Sequence, residues 1–189
     1  MKLIKKLLFQ HYDSRGQNKP QIVVIHIAQG DRTQVASAFK YEEKSAHYLV
    51  NTDGSIWQFV DEKLSAWTQG YVNKPTSKLI KALKVNPNQV AISIEHEGRD
   101  NINETQYLAS AELIKDICTR HAIPLDREHI IGHREIRIDK TCPAGISIEK
   151  LIEYAQKVET VEKKIILIQA QIKFIVDIYD RLPESLKIH

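Results

Sequence analysis

Residues 21–28, QIVVIHIA, constrain the fold of this chain more than any other stretch. The run is rich in β-branched side chains and reads as a buried strand, yet it carries a histidine near its end. Side chains alternate along a strand, so Val24, His26 and Ala28 share one face. A second run, VAISIEHEG over 90–98, alternates in the manner of a strand with two different faces. Ile92 and Ile94 point one way; Ser93, Glu95 and Glu97 point the other. A third short strand, EHIIG over 128–132, leads into a stretch dense in polar chemistry.

The segments between these runs alternate in type. A mixed pattern over 34–44 predicts a short helix. AHYLV and SIWQFV flank NTDG, an aspartate-glycine turn that signals a hairpin. Residues 61–88 read as loop with a helix over 77–83 between Pro75 and Pro87. An amphipathic helix over 105–121 stops near Ile123-Pro124. Residues 1–20 read as an extended lead-in that ends in turn-forming residues. Alternating strands and helices make the class α/β, with a mixed central β-sheet flanked by helices.

At 189 residues the chain suits one domain with an appendage. A net charge of +3 is too mild to argue for a nucleic-acid partner, although it does not oppose a polyanionic surface such as a cell wall. The start, MKLIKKLLFQHYD, has the charges of a signal peptide, but His11, Asp13 and Arg15 end its apolar run early. No stretch reaches the length of a membrane span, so no membrane insertion is expected. The expectation is synthesis and folding in the cytoplasm, with any external substrate reached by another route. The two cysteines allow at most one disulfide. Cys118 lies in a helix beside Leu113, Ile114 and Ile117 and reads as a small buried hydrophobe.

The C-terminal part differs in character. Ser147 reads as an N-cap, with Glu149 in the first turn near the positive end of the helix dipole. Lys150 stands where a capping box would need Glu or Gln. Leu151, Val158, Ile165, Ile172 and Tyr179 then recur every seven residues. Tyr154, Val161, Ile168, Ile175 and Leu182 repeat three positions later, and Pro183 ends the pattern. Apolar residues at both seam positions over five heptads signal a coiled coil or helix packing. Ile166, Leu167, Phe174, Val176 and Ile178 widen the apolar surface beyond a two-stranded seam. The chain thus divides into a folded domain over 1–157 and a C-terminal amphipathic helix over 158–189. That helix either self-associates, making a homo-oligomer, or packs back on the domain.

The chemistry concentrates in IGHREIRIDKTCPAG, residues 131–145. His133, Lys140 and Cys142 are residue types that metal-assisted hydrolysis uses. An imidazole and a thiolate are good zinc ligands, and a catalytic zinc takes three protein groups with a fourth position left open. The third donor must come from elsewhere, and His26 is the best candidate. Each histidine taken singly is more often a core residue satisfied by backbone groups; the metal reading rests on the set.

In order, His26, SAHYLVNTDG, ISIEHEG, GHRE and KTCPAG resemble the type 2 N-acetylmuramoyl-L-alanine amidases. This family includes phage lysins, bacterial autolysins, wall-recycling amidases and the peptidoglycan-recognition proteins. The resemblance covers roughly residues 20–157 by motif order. It implies a mixed sheet flanked by helices, with zinc in a groove over one sheet face. It further implies that His26, His133 and Cys142 are the metal ligands. Lys140 matches the lysine that steadies a developing oxyanion. Glu95 matches the carboxylate that many members use as general base toward water. Some members place a catalytic tyrosine just before the hairpin histidine; here that position is Ala46, so Glu95 carries more of the argument. His47 and His96 match no ligand position and are expected in supporting or surface roles, while Glu97 reads as structural. Arg134 is expected to tie down its loop, and Trp57 and Trp67 to line the core or a groove wall.

The implied function is hydrolysis of the amide between N-acetylmuramic acid and L-alanine of peptidoglycan, in the manner of a phage or prophage endolysin. The alternatives are a bacterial autolysin or wall-recycling amidase, and a peptidoglycan-binding module without catalysis. Loss of the cysteine ligand marks the non-catalytic recognition proteins, and Cys142 is present. A zinc assay with turbidity loss on cell walls separates enzyme from binder.

Overall fold

The computed structural model describes residues 4–181. Its eight short strands and four helices come in the order β1 (Ile4–Lys6), β2 (Tyr12–Ser14), β3 (Ile22–Ile25), α1 (Arg32–Tyr41), β4 (Tyr48–Val50), β5 (Ile56–Gln58), β6 (Leu64–Ala66), α2 (Lys78–Ala82), β7 (Ala91–His96), α3 (Glu104–His121), β8 (Ile130–Gly132) and α4 (Ile148–Asp180). Six strands form one sheet in the order β1-β5-β4-β7-β3-β8. The β4–β5 hairpin is antiparallel, and the other pairings are parallel. The expected mixed α/β sheet is therefore present.

The central strands are buried on both faces, as parallel strands covered by helices require. Val23, Ile25, Ile92, Ile94 and Ile130 pack against Leu113, Ile114 and Ile117 of α3 and Leu151 and Ile152 of α4. On the opposite face Ile22, Val24 and Ile131 meet Ile80 of α2. Val35 and Phe39 of α1 cover Leu49 and Phe59. Helix ends follow local chemistry. Asp31 caps α1 and exchanges a reciprocal pair of hydrogen bonds with Gln34, and so the helix starts two residues before the expected position. Asn103 and Gln106 do the same for α3, which ends at Ala122 in the left-handed conformation (φ 53°) just before Pro124. Ser147 accepts from the Lys150 amide at the start of α4, as expected of the cap.

One expectation needs correction and another narrows. The lead-in is not merely extended: β1 adds to the sheet edge beside β5, and β2 pairs antiparallel with β6 in a separate ribbon. These strands are three residues each and largely exposed, so no apolar alternation marked them. Of the supporting or surface roles expected for His47 and His96, burial leaves the supporting one. His47 meets the Arg15 guanidinium and accepts at Nδ1 from the Ser93 amide. His96 bridges the His26 carbonyl oxygen and the Ser110 hydroxyl.

Helix α4 passes through position 157 without a break. Its first turns bury Leu151, Ile152 and Ala155, whereas Ile165, Ile168, Ile172, Ile175 and Tyr179 stand 38–63% exposed. The apolar seam is thus packed at its start and open to solvent beyond, and these side chains do not cover the domain. Leu182 and Pro183 lie outside the described residues. Among the described residues no helix is long and apolar enough to cross a membrane.

Candidate metal centre

Strand pairing decides which side chains meet. Ile25 of β3 stands opposite Ile94 of β7 and Gly132 of β8. One residue further along each chain come His26, Glu95 and His133. All three therefore sit at one level, on the face opposite Ile25 and Ile94. This is the carboxyl end of three parallel strands, where open α/β sheets place their ligands. Gly132 ends β8, and the chain turns at His133–Glu135 to aim the imidazole inward.

Cys142 arrives on the following loop. Gly132 makes its approach feasible, since a Cβ there would stand 2.6 Å from Pro143 Cδ. The Arg134 amide donates to the Cys142 carbonyl oxygen (2.8 Å), and the Arg134 side chain reaches the Ala144 carbonyl oxygen (3.2 Å). Arg134 thus ties the loop down, as expected. The Ile27 amide points at Cys142 Sγ from 3.3 Å. His26 Nδ1 is 3.7 Å from that sulfur, and the His26 and His133 rings are 4.7 Å apart. The donor atoms of His26, His133 and Cys142 all lie within 4.8 Å of one another.

Two imidazoles and a thiol are the donor types that zinc takes. With metal–ligand bonds of about 2.0–2.3 Å, tetrahedral donors sit roughly 3.3–3.7 Å apart, so the observed cluster needs only a slight contraction around an ion. Protonation states agree. Burial, then the neighbouring His133 and His96, holds the His26 pKa well below the usual imidazole value, while the Gln69 side chain opposes the shift. Burial likewise lowers His133. Both rings are neutral and keep a free lone pair. Burial pushes the Cys142 thiol up to about 12, and a nearby cation is what would release its proton. The residues present fit a zinc ion.

Glu95 Oε1 lies 3.9 Å from His26 Nδ1, and Oε2 is buried without a hydrogen-bond partner. Burial pushes its carboxyl up to about 8, with Lys44 pulling the other way. It also lines a cleft of about 400 Å³ with Ala28, Gln29, Gln34, Lys44 and Arg99. Lys140 is exposed on the loop before Cys142, near enough to act electrostatically on both His133 and Cys142. Glu97 accepts from the Arg32 and Thr52 amides, which joins α1 to the hairpin turn and makes it structural. Cys118 is free and buried. Trp57 and Trp67 are half-buried; Trp67 donates to Asp13 and stacks on His11. Ala46, fully buried, offers no group to the site. Sequence reasoning missed Gln69, a buried residue whose carbonyl oxygen accepts from His133 Nε2 at 3.1 Å. A single glutamine in a loop carries no periodicity that would have flagged it.

The sequence profile of the N-acetylmuramoyl-L-alanine amidases matches residues 16–145. The chain belongs to that family, the type 2 amidases, and is an amidase enzyme of this class. Solved structures share the fold. Selenomethionine-labelled AmpD superposes at a TM-score of 0.68 with 22% identity, covering 82% of this chain and 95% of that one. A mutant endolysin from Bacillus subtilis gives 0.57 with 19% identity, covering 76% and 90%. AmiD from E. coli, in complex with the substrate anhydro-N-acetylmuramic acid-L-Ala-D-gamma-Glu-L-Lys, gives 0.51 with 25% identity, covering 66% and 50%. Comparison with curated proteins returned no match.

Two outcomes follow from this geometry. Gly132→Ala, by forcing Pro143 away, lowers metal affinity about tenfold or more, equivalent to about 1.4 kcal/mol, in chelator competition. The second concerns metal-free protein. The folded state keeps a proton on Glu95 that the unfolded chain releases above about pH 4.5, so stability falls as pH rises from there to about 8. Glu95→Gln removes that titration. It matches the parent near pH 4 and gains on the order of 3 kcal/mol by pH 8–9 in denaturant melts; an advantage independent of pH would contradict the assignment.

Proposed function

We propose that this amidase hydrolyses the bond between the lactyl group of N-acetylmuramic acid and L-alanine of the peptidoglycan stem peptide, using zinc. His26, His133 and Cys142 would hold the ion. The observation that carries the reading is three convergent neutral donors beside a carboxyl with a raised pKa at the head of a cleft. When bound, zinc supplies Lewis acidity to an otherwise unreactive amide and makes water a better nucleophile near neutral pH.

The protein's own groups do the rest. The cleft beside Glu95 holds the muramyl peptide, with its amide reaching past Glu95 toward the donor cluster. Glu95 carries the proton: as a carboxylate, the form that a cation bound beside it would favour, it takes the proton from the attacking water and passes it to the leaving amine. Lys140, on the flanking loop, offers a fixed positive charge to the carbonyl oxygen as negative charge builds there. The third donor, Cys142, favours a lytic role over recycling amidases, which use aspartate at that position. In that role a net charge of +3 suits its anionic polymer.

The open seam of α4 adds a partner. Ile165, Ile168, Ile172 and Ile175 form an apolar stripe in heptad register, and we assign residues 158–182 to pairing with a second copy of the chain. Sedimentation of the full chain against a chain ending at Val158 tests this; the full chain should be the larger species per subunit, and two monomers would remove the idea.

Glu95→Ala or Lys140→Ala should retain stoichiometric zinc yet lose at least about 100-fold in lysis of purified cell walls. Undiminished lysis by either variant would refute its role. Activity confined to soluble muropeptides, with intact sacculi untouched, would reassign the enzyme to wall recycling. Zinc bound without release of L-alanine termini would make it a binding module.

A further inference from the structure

Each imidazole of the donor cluster has a second ring nitrogen whose partner decides its tautomer. His26 presents Nδ1 to Cys142 Sγ at 3.7 Å, so its Nε2 points away from the donor cluster. His133 has Nε2 engaged by the Gln69 carbonyl oxygen, and its Nδ1 is the atom left over. Gln69 is fully buried in the loop after β6. Its amide N–H donates to nothing loose: Asn88 Oδ1 accepts it at 2.9 Å, and its side-chain Nε2 donates to Ser93 Oγ at 2.7 Å. That leaves Gln69 Oε1, a buried acceptor without a partner, and His26 Nε2, a buried ring nitrogen without a partner. Ser93, which the Gln69 side chain holds, pairs with Val24, two residues before His26 on the same strand face, and the His133 ring held by the Gln69 carbonyl oxygen lies 4.7 Å from the His26 ring, so the two orphans border one buried space.

An unpaired buried acceptor and an unpaired buried donor cost free energy apart and little together. Donation by His26 Nε2–H to Gln69 Oε1 satisfies both and leaves the Nδ1 lone pair free. We propose that Gln69 is a positioning residue that sets both ligand imidazoles in the Nε2–H tautomer, His26 through its side-chain oxygen and His133 through its main-chain oxygen. The anchors on Asn88 and Ser93 fix where those two oxygens stand. Outer hydrogen bonds of this kind orient a ligating ring and strengthen it as a donor. Ser93 and Glu95 lie on the same face of β7, so a single strand carries both the anchor of this support and the carboxyl of the site.

The inference rests on the zinc reading for its purpose, but its tautomers can be read with or without metal. The experiment is nitrogen-15 imidazole NMR on the full chain, metal-free and zinc-loaded, together with chelator competition. In the parent, His26 and His133 should both appear as Nε2–H. Gln69→Leu removes only the side-chain acceptor. It should release His26 to a tautomer mixture, leave His133 unchanged, and weaken zinc about 10–100-fold. Gln69→Glu restores an acceptor and should recover most of both signals. Parent-like His26 tautomer and affinity in Gln69→Leu would overturn the proposal, as would equal disturbance of both rings in Gln69→Leu with no recovery in Gln69→Glu. If the parent binds no zinc, the zinc reading falls, and the metal-free tautomers still judge Gln69.

Discussion

The alignment of three parallel strands at their carboxyl ends is the constraint on which the rest depends. β3, β7 and β8 pair so that Ile25, Ile94 and Gly132 share a level, and the next residue of each faces the site. Slipping β3 or β7 by one residue would turn its polar group into the α3 side of the core and an isoleucine into the cleft. What prevents the slip is burial on the other face, where Val23, Ile25, Ile92, Ile94 and Ile130 are wholly enclosed. Packing beneath the sheet therefore sets the geometry of chemistry above it.

Burial also supplies the site's electrostatics. His26 and Cys142 are both driven to their neutral forms by loss of solvent, and Glu95 keeps its proton far above the normal carboxyl range. Such an arrangement stabilises nothing in the metal-free protein; a cation bound there would reverse the preference of thiol and carboxyl alike. The cost is carried by the surrounding apolar core. Elsewhere the buried Glu62 carboxylate is well partnered: it receives Arg120, His121 and the Tyr48 hydroxyl, and its pKa is held down to about 2 despite desolvation.

Much of this was legible beforehand. The runs at 21–28 and 90–98, the NTDG hairpin and the long helix over 105–121 all announce themselves through local periodicity or turn chemistry, and each formed within a few residues of its expected limits. The three-residue strands β1, β2 and β6 did not, because edge pairing needs only backbone groups and leaves side chains free to be polar. His47 and His96 were underrated for a related reason: a histidine's burial depends on what is laid over it. The seam of α4 shows the converse. Its heptads are plain in the sequence, yet they say nothing about where packing on α3 stops.

By itself the sequence determined the kinds of donor available, the strand faces that carry His26 and Glu95, and the order of motifs that marks an amidase. Those properties are local, written in spacing and alternation. Only the tertiary structure decided that His26, His133 and Cys142 converge within 4.8 Å, that Gly132 leaves room for the cysteine loop, and that the Gln69 carbonyl oxygen stands behind the His133 ring. Convergence and desolvation are sums over residues far apart in the chain, and no window of sequence contains them.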